Sequence, residues 1–165
     1  MEFGVKTYIE RNPNGDTRTA DHVPTMGEFI EANSMHISSV CNMMANFSLA
    51  ITGRGRKHDW TKTSEPNKSL FYRELCSTIE GKMKFKDGEW YPMHCKEERH
   101  HLNECCPEDV NLIDVLEMLC DCVCAGMGRS GSYTPINLNS EILERAFRNT
   151  EKMLLDSVVL VEEED

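Results

Sequence analysis

Basic residues are outnumbered by acidic ones in this sequence, and long apolar runs are absent. The 165 residues include 18 lysines and arginines against 28 acidic residues, which gives a formal net charge of −10. Non-specific nucleic-acid binding depends on basic side chains that neutralise phosphates, so this charge argues against it. No apolar run approaches the roughly 20 residues that a membrane-spanning helix requires, and we therefore expect no membrane span.

The N-terminus also lacks the apolar stretch of a secretory signal, because MEFGVKTYIERNPNGD is polar within a few residues. We therefore expect a cytoplasmic protein in which the eight cysteines are reduced. Cys120, Cys122 and Cys124 alternate along a predicted helix, which turns Cys122 away from the other two. The three cannot bind one metal ion together, and we interpret them as small buried apolar residues.

Apolar residues recur at three- and four-residue intervals, which predicts an all-α fold. A chain of this length suits one domain, and we expect a bundle of five to seven helices over residues 25–165. A turn signal at NPNGD indicates that residues 1–24 form a short hairpin or an extended arm. Residues 162–165 belong to an acidic tail.

Three helices have predicted ends that bear on function. The first long helix should stop at Gly53, and a later helix should cover residues 91–104 with Pro92 in its first turn. The terminal helix should run from about residue 140 to residue 161. Its apolar face can pack within the chain or against a second copy, which would make a homodimer.

Histidines and acidic residues occur within segments that the apolar pattern predicts to be buried. They are His36, His58, Asp59, His94, His100, His101, Glu117 and Asp121. Burying such groups separately would cost about a few kcal/mol each, whereas a shared cation would offset that cost. Imidazole and carboxylate ligands together suit Mn, Fe, Ni, Co or Zn better than Ca or Mg. The sequence therefore predicts a divalent transition-metal site.

Spacing within the predicted helices brings some of these residues to one face. His94 and His101 are seven residues apart, which is two helical turns, so both should lie on the same side. His100 points about 100° away, and we expect it to contact substrate instead. Glu117 is a candidate for fixing a histidine tautomer, whereas Asp114 reads as an ordinary charge on the helix surface.

A structural zinc site is an alternative use of the same region. It would gather His94, Cys95, His101, Cys105 and Cys106. Their spacings do not match the paired C-x-x-C patterns of such sites, so this alternative is the weaker one.

The order His36, then His58-Asp59, then Asp121 on successive helices resembles the HD-domain superfamily of metal-dependent phosphohydrolases. The runs HDWTK, HCKEERHHLNECCPED and NLIDVLEMLCD resemble a branch of small bacterial and phage proteins with that signature. The resemblance covers roughly residues 29 to 125. It implies that His36, His58, Asp59 and Asp121 hold one metal ion. In some members two further histidines hold a second ion, and His94 and His101 are the candidates here.

The resemblance further implies hydrolysis of a nucleotide or another small phosphorylated molecule by metal-activated water. Asp59, Lys62 and Glu117 are then the catalytic candidates. Lys62 would also contact the substrate phosphate, together with Arg129 in the loop GMGRSGSY.

One departure from the superfamily pattern keeps other functions open. Many nucleotidase members carry an acidic residue a few positions after the HD pair, where this chain has Trp60, Thr61 and Lys62. A di-iron oxygenase, in which His94 and His101 both bind iron, is one alternative. A nucleotide-binding protein without catalytic activity on the same scaffold is another.

Overall fold

The computed structural model describes residues 4–161, which are mostly α-helical, so the predicted all-α class is confirmed. The α-helices of this range are α1 (Met26–Lys57), α2 (Trp60–Thr63), α3 (Asn67–Ile79), α4 (Trp90–Glu97), α5 (Leu112–Ser130) and α6 (Ser140–Ser157). Short 3-10 turns occur at Pro13–Gly15 and Phe85–Asp87, and two strands at β1 (Thr7–Glu10) and β2 (Val158–Val161). None of the helices in this range combines the length and the apolar character needed to cross a bilayer.

The described chain divides into two compact units. The first comprises the residues up to Thr52 together with those from Glu151 onward, and the second comprises Gly53–Thr150. In the first unit β1 pairs in parallel with β2, with Thr7 opposite Val158. This pairing joins the N-terminal segment to the end of the chain, so the division differs from the predicted boundary between residues 24 and 25.

Of the two alternatives predicted for residues 1–24, a hairpin or an extended arm, the hairpin does not form among residues 4–161. The Asn12 side chain accepts a hydrogen bond from the Asn14 backbone N–H (3.1 Å) and caps a 3-10 turn, after which Asp16 pairs with Arg18. β1 pairs instead with VVLV, whose β-branched residues favour an extended strand. The same preference ends α6 at Ser157, short of the predicted residue 161, and the predicted acidic tail lies outside the described residues.

Two further helix ends differ from the predictions. α1 continues through Gly53 and Gly55 to Lys57, because each glycine costs a helix only about 1 kcal/mol. α4 ends at Glu97 rather than extending to residue 104, since Glu98 adopts an extended backbone. The histidines that follow α4 therefore lie on a loop.

α5 separates an apolar core from a polar site within the second unit. Asn111 and Asp114 form a capping box at its N-terminus, which fixes where the helix begins. Val115 and Met118 pack into a cluster with Leu102, Val110 and Ala146. Residues at positions 114, 117 and 121 share another face of this helix, since they are spaced by one and two turns.

Gly88 lies against a buried carboxylate that positions the start of α4. Glu74 accepts hydrogen bonds from the backbone N–H groups of Glu89 and Trp90, both at 3.0 Å. A Cβ atom at Gly88 would lie 2.1 Å from Oε2 of Glu74. We expect Gly88→Ala to lower the free energy of unfolding, measured by urea denaturation, by about 2–3 kcal/mol.

Gly55→Ala is the matched control for that substitution. No atom outside its own helix lies within 4 Å of a Cβ built at Gly55, and alanine favours a helix over glycine. The variant should therefore gain about 0.5–1 kcal/mol. Equal effects at Gly55 and Gly88 would contradict the close packing described for Gly88.

Candidate metal centre

The second unit brings together four histidines and two aspartates from separate segments. His58 and Asp59 lie between α1 and α2, where Asp59 has a left-handed backbone (φ 55°). The others are His94 in α4, His100 and His101 in the loop after α4, and Asp121 in α5. We call these six residues the histidine cluster. It includes five of the six metal ligands predicted from the sequence.

His58 and His100 both present their Nε2 atoms to the two aspartates. His58 Nε2 lies 3.4 Å from Asp59 Oδ2 and 3.4 Å from Asp121 Oδ1. His100 Nε2 lies 3.7 Å from Asp59 Oδ1 and 3.9 Å from Asp121 Oδ2. Electrostatic attraction to these carboxylates and to Glu117 raises the pKa of His100 even though burial, the largest influence, opposes this.

His94 and His101 meet through their Nε2 atoms, which are 2.9 Å apart. His94 Nδ1 lies 2.6 Å from Thr61 Oγ1, and that hydroxyl donates to Glu98 Oε1 at 2.8 Å. Thr61 Oγ1 can therefore only accept from His94, which places the imidazole proton on Nδ1 and the lone pair on Nε2. Burial and the neighbouring His101 lower the pKa of His94 to about 3, so this imidazole is neutral.

Glu117 contacts Nδ1 of His58, the ring nitrogen that faces away from the aspartates, as Thr61 contacts Nδ1 of His94. Its Oε1 lies 3.0 Å from His58 Nδ1, and its Oε2 accepts a hydrogen bond from Arg54 at 2.9 Å. Although burial opposes ionisation, the neighbouring His100, Arg54 and His58 lower the pKa of Glu117 to about 2. An ionised carboxylate only accepts, so His58 Nδ1 donates and its Nε2 lone pair points toward the aspartates.

Glu117→Gln removes that charge with little change in shape. We expect the affinity for divalent transition metals to fall by about 10–100-fold, because the partner of a ligating histidine sets its tautomer and basicity. Isothermal titration with Zn²⁺ measures the change. Glu97→Gln, at an exposed position in α4, should bind as the native chain does. An unchanged affinity in Glu117→Gln would mean that Glu117 does not support metal binding by His58.

The donor atoms of the cluster fit a transition-metal cation. Ligands bonded at about 2.0–2.2 Å lie about 3–3.6 Å apart around one ion, which is close to the separations between His58, Asp59 and Asp121. Asp59 Oδ1 is buried and has no hydrogen-bond partner among the described residues. Mixed imidazole and carboxylate donors favour Mn, Fe, Ni, Co or Zn. The cluster could therefore hold a divalent metal ion.

Residues 26–159 match the model of a family described as a family of unknown function, DUF5662. The chain belongs to the DUF5662 family. No match occurs among the curated proteins, and none occurs among the solved structures. The DUF5662 match contains all six residues of the histidine cluster.

His36 is the predicted ligand that the structure does not bring to the cluster. It lies in the first unit, on the continuous helix α1 and about six turns before the end of that helix. There it lines a cavity of about 240 Å³ together with Met35, Ser39 and Val40. No group of potential metal ligands in residues 4–161 contains His36 or any cysteine, so the zinc-site alternative finds no support.

In the DUF5662 chain, His100 lies among the potential metal ligands although the sequence assigned it to the substrate, and Glu98 was not predicted at all. His100 is buried inside the cluster, because α4 ends before it and the loop turns its ring inward. Glu98 accepts hydrogen bonds from the Thr61 backbone N–H (2.9 Å) and hydroxyl (2.8 Å), and it forms a potential ligand group with Asp59 and His94. The only available signal was its position inside the histidine-rich run HCKEERHH.

Asp114 is fully buried and does not lie on the helix surface as predicted. It accepts hydrogen bonds from Arg54 Nη1 (2.5 Å) and from Arg99 Nε (2.9 Å) and Nη2 (2.8 Å). Arg99 immediately precedes His100, so this ion pair anchors the loop that carries His100 and His101.

An open cleft of about 900 Å³ lies over one side of the cluster in the second unit. His94, His101 and Asp121 form part of its lining, as do Lys62 and Arg129. The Lys62 ammonium group pairs with Asp59 Oδ2 and holds the pKa of Asp59 below its usual value, against the effect of burial. The two predicted phosphate contacts therefore share a cleft with the predicted metal ligands.

Proposed function

We propose that this protein is a metal-dependent phosphohydrolase that acts on a nucleotide or another small phosphorylated molecule. The observation that carries the proposal is the approach of the His58, His94 and His100 Nε2 atoms to Asp59 at a cleft that Lys62 and Arg129 also line. The resemblance of the HD pair and Asp121 to the HD-domain signature supports the same reaction class.

His58, Asp59, His94, His100, His101 and Asp121 would hold one or two divalent transition-metal ions. When bound there, such an ion would supply a water of lowered pKa and positive charge to offset that of a phosphoryl group. Glu117 and Thr61 contact the Nδ1 atoms of His58 and His94, which would leave the Nε2 lone pairs of both histidines free to bind the ion. Glu117 thus acts by positioning a ligand.

Lys62 and Arg129 would bind the substrate phosphate. Both cations line the cleft beside Asp121, and charge-assisted hydrogen bonds to phosphate are stronger than neutral ones. Within the described residues, Arg129 makes no side-chain hydrogen bond or ion pair, so its guanidinium is available to an anion. Asp121 and Asp59 would repel a phosphate without a bound cation, which makes substrate binding depend on the metal.

The direct test is hydrolysis by the full-length protein loaded in turn with Mn²⁺, Fe²⁺, Co²⁺, Ni²⁺ or Zn²⁺, measured as released phosphate or, for cyclic nucleotides, as the ring-opened monophosphate. The substrates are linear nucleotides, cyclic nucleotides and simple phosphate esters. We expect hydrolysis that a chelator abolishes and that His58→Ala eliminates, whereas His36→Ala retains it. Stoichiometric metal binding without turnover of any substrate would contradict the proposal.

Lys62→Ala separates phosphate binding from metal binding. We expect KM to rise about tenfold or more, since a hydrogen bond to a charged group contributes about 1.5–3 kcal/mol. Metal affinity should not fall, because the substitution removes a positive charge next to Asp59. Lys68→Ala, at an exposed position in α3, is the matched control. A loss of metal affinity in Lys62→Ala would contradict the assigned role.

A di-iron oxygenase is the second candidate, and the number of donors favours it. His94, His100 and His101 form one potential ligand group, and His58, Asp59 and Asp121 form another, which is enough for two ions. An EPR signal from two coupled irons, with no phosphate release, would select oxidation. Tight nucleotide binding without either activity would select the non-catalytic alternative.

A further inference from the structure

The helix α1 exposes a long apolar face within the first unit. Although α1 spans 32 residues, Ala32 is its only buried residue. The exposed fractions are 56% for Ile30, 68% for Ile37, 49% for Val40 and 65% for Met44. Most of the stability of a helix in a protein comes from packing of its apolar face. We therefore expect another protein surface to pack against this face.

That face carries no charge. Between Glu31 and Arg54 the sequence contains no aspartate, glutamate, lysine or arginine, although the whole chain has a net charge of −10. Two copies of an acidic protein repel each other over most of their surfaces. The uncharged face of α1 is therefore a surface on which two copies can approach at little electrostatic cost.

Large and small side chains alternate on the face at heptad spacing. Ile30, Ile37 and Met44 repeat every seven residues, and Ser34, Cys41 and Ser48 repeat in the same way between them. Such a pattern forms a seam along one side of a helix. The small residues leave recesses into which large residues of a neighbouring helix can fit.

The pattern is complementary to itself when a second α1 runs antiparallel. With the two-fold axis beside Ser39, Ile37 lies opposite Cys41 of the second copy, and Met44 lies opposite Ser34. Ile30 then lies opposite Ser48, so each large residue meets a small one. In a parallel pair at equal register, large residues would meet large residues and small would meet small.

We propose that two copies of this chain associate through the seam of α1, defined by Ile30, Ser34, Ile37, Cys41, Met44 and Ser48, in an antiparallel two-fold contact. All six seam residues are exposed along about five turns of α1, which is the kind of continuous surface that a stable interface of roughly 800 Å² per partner requires. An isologous contact of this type closes with two copies. The proposal does not depend on the metal centre.

Sedimentation equilibrium of the full chain tests the association. We expect the mass of two 18.9 kDa chains and the mass of one chain for Ile37→Glu, with a dissociation constant at least about 100-fold higher because a charge would enter the seam. Leu49→Glu changes an equally exposed leucine that lies outside the seam, and it should remain dimeric. A monomeric native protein, a dimeric Ile37→Glu or a monomeric Leu49→Glu would overturn the proposal.

Disulfide trapping tests the register and does not depend on the folding of Ile37→Glu. All chains carry Cys41→Ser. Chains that also carry Ser34→Cys are mixed with chains that also carry Met44→Cys, and the mixture is oxidised. The Cys41→Ser chain alone measures how much cross-linking comes from the other cysteines. We expect a cross-link between the two kinds of chain and none between identical chains, whose cysteines would be about 15 Å apart along the seam. Cross-linking of Ser34→Cys to itself, or no cross-link above background, would overturn the arrangement.

Discussion

His100→Ala is expected to lower the affinity for divalent transition metals by at least about 100-fold, since loss of a partner behind a ligating histidine already costs about 10–100-fold. His100 is buried, and its Nε2 faces both aspartates of the histidine cluster. Removing the ring takes away one nitrogen donor to the metal ion. Isothermal titration with Zn²⁺ and with Mn²⁺ measures the loss.

His36→Ala is the matched control, because it removes the same side chain from α1 outside the cluster. Its metal affinity should equal that of the native chain. This pair of variants separates the two accounts of the site, since the resemblance to the HD-domain superfamily makes His36 a ligand and the structure places His100 there. A large loss in His36→Ala with no loss in His100→Ala would reverse the assignment.

Asp114→Ala should destabilise the fold by about 3–5 kcal/mol, which is the usual cost of removing one partner from a buried ion pair. Arg54 and Arg99 both donate to this fully buried carboxylate, and its loss would leave two guanidinium groups without their shared partner. The capping box of α5 would be lost as well. Urea denaturation of the full-length chain measures the change in unfolding free energy.

Asp109→Ala provides the comparison within the same network. Arg99 also pairs with Asp109, at 2.9 Å, but the Asp109 side chain is 59% exposed. Exposed pairs contribute about 1 kcal/mol or less, so this variant should lose much less stability than Asp114→Ala. Similar losses in the two variants would mean that burial does not decide the strength of the network.

Local sequence signals predicted the all-α class, but they misplaced three helix ends and did not reveal the pairing of β1 with β2. The capping box of Asn111 and Asp114 fixes the start of α5, although Asp114 was predicted to be an ordinary charge on the helix surface. β1 and β2 each contain four residues, and they pair across almost the whole length of the chain. No local pattern reveals such a pairing, because its partners are distant in sequence and the alternation in each strand is too short to be distinctive.

The sequence predicted most residues of the candidate site correctly, but it did not predict how the backbone brings them together. His94 and His101 do lie together, although α4 ends at Glu97 and the loop rather than helical spacing brings them into contact. The same assumption of a continuous helix assigned His100 to the substrate instead of to the metal. His36 was included because of its order in the chain, and it belongs to the first unit whereas the cluster belongs to the second.

The most direct test of the metal centre is the metal content of the purified full-length protein, measured by mass spectrometry after exposure to transition metals and removal of loosely bound ions. We expect one or two equivalents of metal per chain. His36→Ala should retain them, and a variant that combines His58→Ala with Asp59→Ala should lose them. A chain without stoichiometric metal, or a double variant that binds as much as the native protein, would contradict this expectation.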